Sequence, residues 1–145
     1  MGPIPVKILR EGAFLPAYGS VEAAGADLYA CLEKSISIAP GMTAFIPTGI
    51  ALEVPRGCAG LIYARSGMAC KRGLAPANKV GVVDSDYRGE ILVALHNHGD
   101  TVQTVSHGER IAQFVITPVL TPTYEAAEVL SETERDAGGF GSTGK

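Results

Sequence analysis

The residues best suited to chemistry crowd into the stretch 135–145. Gly138, Gly139, Gly141 and Gly144 free the backbone to approach a ligand, and Ser142 and Thr143 add hydroxyls. Arg135 is a bidentate partner for phosphate, and Phe140 sets a flat ring among the glycines, where it can stack on a base. The bland alternative is a flexible Gly-rich terminus. Residues Gly139 to Lys145 spell GxxxxGK, the opening of a P-loop. No apolar strand leads in, however, and the expected Ser or Thr and helix do not follow, which argues against that reading.

Other candidates are scattered. Arg65-Ser66-Gly67 follows Leu61-Ile62-Tyr63, placing a guanidinium and a hydroxyl where a strand ends and a helical turn begins. That is an anion site or an ordinary N-cap beside a solvated arginine. Asp84 sits at a valine-flanked turn, partly desolvated, where a carboxylate accepts a proton from water or holds a cation; Asp-x-Asp is also common turn chemistry. Tyr87 is a packed strand aromatic or a wall against a sugar. Asp27 lies among small and apolar residues near a strand, so it needs a partner, which a ligand, a turn or a cap would supply. Gln113 interrupts an apolar strand and is either a satisfied core amide or a ligand contact. His96 and His98 fall on one side of a strand, but zinc needs a third ligand and His107 has no evident reason to join them. No Ser-His-Asp or Cys-His signature is present.

The elements that hold these residues read as strands. The chain has 145 residues with 18 glycines and 9 prolines, which punctuate runs such as Ser35 to Ile38, Ala44 to Ile46, Ile50 to Val54 and Ile91 to Leu95. Met1 to Glu11 alternates like a strand, and its Lys7 and Arg10 break any signal-peptide run. Gly2 does not open a lipidation motif, because Val6 stands where Ser or Thr is required. Ser66 to Arg72 has room for about two helical turns. Tyr124 to Glu134 has some helix-forming composition, opposed by β-branched residues and upstream prolines. Asn78 to Gly89 reads as a hairpin turning at Asp84-Ser85-Asp86. The expectation is one all-β domain over residues 1–145, a sandwich or jelly roll with one short helix, its core spanning about 1–117 and a tail about 118–145.

Composition closes off several classes. Apolar content of 46%, charged content of 19% and the lack of a membrane-length apolar run predict a soluble protein with no membrane partner. A formal charge of −3 argues against coating nucleic acid and requires any anion to be bound locally. Cys31, Cys58 and Cys70 are odd in number and never form CxxC, which fits reduced thiols in a cytoplasm.

Taken in order, AGADLYA (24–30), YARSGMA (63–69), NKVGVVDSDYRGE (78–90), GERIAQFVI (108–116) and RDAGGFGSTG (135–144) resemble the five motifs of the trimeric dUTP pyrophosphatases. The resemblance implies a jelly-roll subunit in a homotrimer, with each active site built from three chains and closed by a C-terminal arm from a neighbour. The substrate is then dUTP, converted to dUMP and pyrophosphate, which keeps uracil out of DNA and supplies dUMP for thymidylate synthesis. By motif position, Asp27 holds Mg²⁺ through water and Gln113 supports the phosphate and metal network. Arg65, Ser66 and Gly67 contact the triphosphate. Asn78 and the backbone of Val82, Val83 and Asp84 read uracil, Tyr87 packs on the deoxyribose, and Leu92 borders the base. Asp84 activates the attacking water. Arg135, Phe140, Gly141, Ser142 and Thr143 belong to the closing arm, Phe140 stacking over uracil and the others gripping the γ-phosphate.

Two positions depart from the family pattern. Ala64 replaces a proline, removing a fixed φ but no functional group. Asp136 replaces a glycine and sets an extra negative charge near a polyanion. The rival readings are a dCTP deaminase of the same superfamily and a catalytically idle nucleotide sensor that kept the fold.

Overall fold

The structure is a computed structural model and describes residues 2–139. Its strands, in chain order, are β1 (Val6–Ile8), β2 (Ala17–Tyr18), β3 (Ala26–Tyr29), β4 (Ile36–Ile38), β5 (Thr43–Pro47) and β6 (Ile50–Leu52). After them come β7 (Cys58–Tyr63), the helix α1 (Ser66–Arg72), β8 (Leu74–Pro76), β9 (Gly81–Val83), β10 (Leu92–Asn97), β11 (Gln103–Val105) and β12 (Arg110–Pro118). Every ladder is antiparallel. The largest sheet runs β2-β3-β12-β7-β9, and the others run β5-β10-β8, β1-β6 and β11-β4.

The layers close because their strands alternate. Along β10, Val93, Leu95 and Asn97 turn inward while Leu92 stays 44% exposed, the period-2 signature of a sheet with one wet face. Leu28, Ile62 and Phe114 from the five-stranded sheet join Ile46, Val93 and Leu95 from the three-stranded one in a single buried cluster. This is the all-β jelly-roll layering expected from the short, evenly punctuated runs. Asn97 and Thr48 are fully buried polar residues, and Asn97 has every polar atom of its side chain bonded. Its amide donates to the carbonyls of Ile38 and Thr101, both at 2.8 Å, and its oxygen accepts from Gly99 N–H at 2.9 Å. Among the described residues no fully buried side-chain nitrogen or oxygen lacks a partner.

Among the described residues one helix forms, and it forms where its composition asks for it. Gly73 ends it in the left-handed region at φ +66°, its N–H returning to Ala69. Arg72 in the last turn then ties the helix to the β11–β12 region through Glu109, Gln103 and the Thr104 carbonyl.

Two expectations are corrected. Residues 78–89 do not form a self-paired hairpin: β9 pairs with β7, and β10 with β5 and β8. The turn forms at Asp84-Ser85-Asp86, with the Tyr87 N–H returning to the Asp84 carbonyl, but Val82 pairs with Leu61 and Val83 with Gly60 of β7 instead of with the strand that follows. In Tyr124 to Glu134 the opposing β-branched residues and prolines prevail: the segment forms no helix and is exposed, with no buried face to offset the entropy of ordering it. Asp84 is exposed, not partly desolvated. After β12 no strand or helix forms through residue 139. All three cysteines are free, and no helix among the described residues is long and apolar enough to cross a membrane.

Gly60 in β7 lies under the buried ring of Phe114, and a Cβ there would meet its Cε2 at 2.8 Å with Cζ nearer still. Gly60→Ala is therefore expected to destabilise the fold by about 1–3 kcal/mol through overpacking, read as a lower urea midpoint at unchanged m-value.

Candidate active site

Strand register gathers the first group of residues. Gln113 of β12 stands opposite Asp27 of β3 on one side and Tyr63 of β7 on the other, so three adjacent strands deliver their polar residues to one end of the sheet. Two residues past Tyr63, Arg65 occupies the N-cap of α1 in an extended conformation, φ −88° and ψ 132°. Its Nε donates to Asp27 Oδ1 at 2.7 Å, and Arg110 Nη1 donates to Oδ2 at 3.3 Å. The Asp27 side chain is only 12% exposed, and the two guanidiniums are the partners its burial demands. Arg65 is thus a bound cation, not the solvated residue an ordinary cap would leave. Ser66 begins the helix, and Arg65 caps it without any side-chain cap bond.

Gln113 is fixed as firmly. Its amide donates to the Ala64 carbonyl at 2.9 Å, which locks the strand end that carries Arg65 and leaves Oε1 as an acceptor. Gly25 makes room for it, since a Cβ there would stand 3.1 Å from that oxygen. Two arginines against one carboxylate leave a net positive charge beside Ser66 and Gly67, which are exposed. A phosphate chain fits that excess charge, the guanidiniums being preset by Asp27.

The second group lines a separate pocket of about 210 Å³. Asn78, Gly81, Val82, Val83, Asp84, Tyr87 and Leu92 form its wall, with Ile62, Glu90 and Ile91 behind. β9 is the edge strand of its sheet, paired only to β7. Its outer edge therefore offers unpaired backbone donors and acceptors to whatever enters, a surface that reads hydrogen-bonding patterns. The tight turn at Asn78-Lys79, with Lys79 at φ +63°, sets the angle at which β9 leaves. Tyr87 lies half-exposed across the pocket, its hydroxyl donating to the Glu90 carbonyl at 3.0 Å.

The two groups do not share this pocket. None of Asp27, Arg65, Ser66, Gly67 and Gln113 lines the pocket that holds Asp84, Tyr87 and Leu92. Arg135 joins neither group: its Nε donates to the Gly138 carbonyl of its own turn at 2.8 Å. Asp136 in that turn adopts φ +45°, a conformation glycine takes freely. Phe140, Gly141, Ser142 and Thr143 lie outside the described residues. His96 and His98 do share a side, their ring centroids 4.4 Å apart. Partial loss of hydration, then the charges of His96 and Lys79, pull His98 below the usual imidazole value. Among the described residues no group of three or more His, Cys, Asp or Glu side chains could cage a metal.

Arg110 is the site residue that sequence reasoning missed. It sits beside a β-bulge between Arg110 and Ala112, and the shift in register is what lets it reach Asp27. Strict alternation from Gln113 gives no hint of that. The available signal was charge: Arg110 is the cation nearest in sequence to Gln113.

An all-β jelly roll that combines a paired-arginine anion cluster with an edge-strand pocket is a nucleotide-binding architecture, and the comparisons agree. The dUTPase family model matches residues 12–144. A deoxyuridine 5'-triphosphate nucleotidohydrolase of Desulfitobacterium hafniense is 53% identical over 149 residues, covering 99% of each chain. Its counterpart in Syntrophotalea carbinolica is 49% identical over 141 residues, covering 97% of this chain and 96% of that one. Among solved structures, the Staphylococcus bacteriophage 80alpha dUTPase with dUPNHPP superimposes with a TM-score of 0.91 at 27% identity, covering all of both chains. The dUTPase of phage phi11 of S. aureus, described with a structural Mg(II) ion, has a TM-score of 0.82 at 23% identity over 90% of this chain and all of that one, a likeness of fold. The chain belongs to the dUTPase family.

Because Asp27 is buried and Arg110 is half-exposed, the two ion pairs are unequal. Arg65→Ala is expected to lower stability by about 1–3 kcal/mol and Arg110→Ala by less than about 1 kcal/mol, as read by urea unfolding of the two variants side by side.

Proposed function

We propose that the chain hydrolyses dUTP to dUMP and pyrophosphate. The observation that carries this reading is the edge strand β9 lining a pocket with unpaired backbone groups, in a member of the dUTPase family. Those groups and Asn78 hydrogen-bond uracil. Cytosine would leave some of them unpaired, a stronger rejection than the about 1–3 kcal/mol that one methyl gives against thymine. Thymine is therefore excluded by clash at the C5 edge. Tyr87 walls the deoxyribose against a 2′-hydroxyl, and Leu92 borders the base.

The reaction is in-line displacement at the α-phosphorus. Asp84 takes a proton from water, the water oxygen bonds to the α-phosphorus, and the bond to the bridging oxygen breaks to release pyrophosphate whole. Asp84's exposure in the single chain leaves it open to water until the site closes. Arg65, Ser66, Gly67 and Arg110 hold the phosphate chain, the guanidiniums offsetting charge that builds on the leaving oxygens. The donor set fits Mg²⁺ held indirectly. No cage of protein ligands exists among the described residues, while the single carboxylate of Asp27 and Oε1 of Gln113 suit an ion that keeps much of its water shell. An ion held there would supply charge to offset that of the phosphates.

The separation of the two groups supports a site shared between copies in a homotrimer. So does the arm: Leu120 and Tyr124 are 95% exposed and Val129 and Leu130 83%, a set of apolar side chains with no cover in their own chain. Laid on a neighbour, the arm would bring Arg135, Ser142 and Thr143 to the γ-phosphate and Phe140 over uracil, excluding water. Asp136 adds a negative charge at that point and weakens closure.

Incubation with dUTP, dCTP, dTTP and UTP, with and without chelator, tests the reading. The expected result is dUMP and pyrophosphate from dUTP, strongly reduced by chelator; ammonia from dCTP would replace this assignment with a deaminase. Asp84→Asn is expected to lower kcat by at least about 100-fold with little change in KM, and unchanged turnover would remove Asp84 from the mechanism.

A further inference from the structure

The Tyr87 ring rests on a glycine two residues on. Gly89 is not in the left-handed region, so its backbone does not require glycine. What requires it is space: a Cβ at 89 would lie 2.6 Å from Tyr87 Cζ and 3.0 Å from Cε2, with the phenolic oxygen nearer still. The ring of Tyr87 lies across the bare Cα of Gly89.

Its far end is held by an anchored acceptor. The Tyr87 hydroxyl donates to the Glu90 carbonyl at 3.0 Å. Glu90 in turn is locked to the turn between β5 and β6. Its carboxylate accepts from Gly49 N–H and from Arg10, both at 2.9 Å. The next residue, Ile91, is buried and bonds to Thr48 and Ile50. Among the described residues no other aromatic ring packs on Tyr87. Its tilt is set by the floor at Gly89 and the tether at Glu90.

We infer that Gly89, with the anchored carbonyl of Glu90, is the positioning element that sets the Tyr87 ring and through it the choice of 2′-deoxyribose over ribose. The inference rests on the proposed role of Tyr87 as the sugar wall. A methyl at 89 must push the ring by about 1 Å to restore ordinary contact distance. That displacement crowds the deoxyribose and breaks the tether, so the wall both intrudes on the correct sugar and becomes free to yield to the wrong one. The clash is with the end of a half-exposed side chain, so the fold itself has little to lose.

The test compares kcat/KM for dUTP and UTP in the wild type, Gly89→Ala, Tyr87→Ala, Tyr87→Phe and the Tyr87→Phe/Gly89→Ala double variant. Gly89→Ala is expected to keep its melting temperature within a few degrees and to lose at least about tenfold in the dUTP-to-UTP ratio, chiefly through a higher KM for dUTP. Tyr87→Phe removes the hydroxyl that meets the new methyl, so the double variant is expected to lose less than the sum of the single variants. A ratio changed in Tyr87→Ala but unchanged in Gly89→Ala overturns the positioning role alone, as does strict additivity in the double variant. A ratio unchanged in Tyr87→Ala overturns the sugar-wall reading and this inference with it.

Discussion

Asp27 is a nearly buried carboxylate held between two arginines, and that arrangement constrains everything around it. Removing it from water requires partners, and both come from strand ends: Arg65 where β7 gives way to α1, and Arg110 where β12 begins. The register of three antiparallel strands, with Gln113 between Asp27 and Tyr63, is what makes the bridge possible. A one-residue slip would turn Asp27 and Gln113 to the other face and leave the guanidiniums unpaired. The same bridge that satisfies a buried charge therefore fixes two cations in the geometry an anion needs.

The recognition pocket obeys a different constraint, the unpaired edge of β9. Edge strands invite pairing with other chains, and this one is short and sits beside an aromatic and a tight turn. A nucleobase is a natural occupant because it offers donors and acceptors in one plane. The arginine cluster and the β9 pocket are thus built by unrelated means, a charge bridge and a sheet edge, on two parts of the five-stranded sheet. Their separation within one chain is what the proposed sharing of sites between copies would explain.

Much of this was legible in the sequence. Gly and Pro spacing marked the strands, the Ser66–Arg72 segment gave the helix, and the surroundings of Asp27 announced a carboxylate in need of a partner. What was not legible depended on tertiary geometry. The β-bulge that swings Arg110 toward Asp27 leaves no local pattern, and β9 pairs with the more distant β7 instead of with β10, the strand that follows it. The exposure of Asp84 likewise depends on how its turn packs, which its valine flanks do not show. Glycine was the most ambiguous residue type: Gly73 is present for its φ, whereas Gly60 and Gly89 are present for the rings beside them, and only coordinates separate the two reasons.

The central claim is that the Arg65 cluster and the Asp84 pocket of one chain serve different active sites. Co-expression of Arg65→Ala and Asp84→Asn chains, each nearly inactive alone, tests it most directly. If the two groups meet only across subunits, random mixing restores intact sites and about one quarter of wild-type dUTP turnover. If mixed assemblies are isolated and turnover stays at the level of the single variants, both groups act within one chain and the account is wrong.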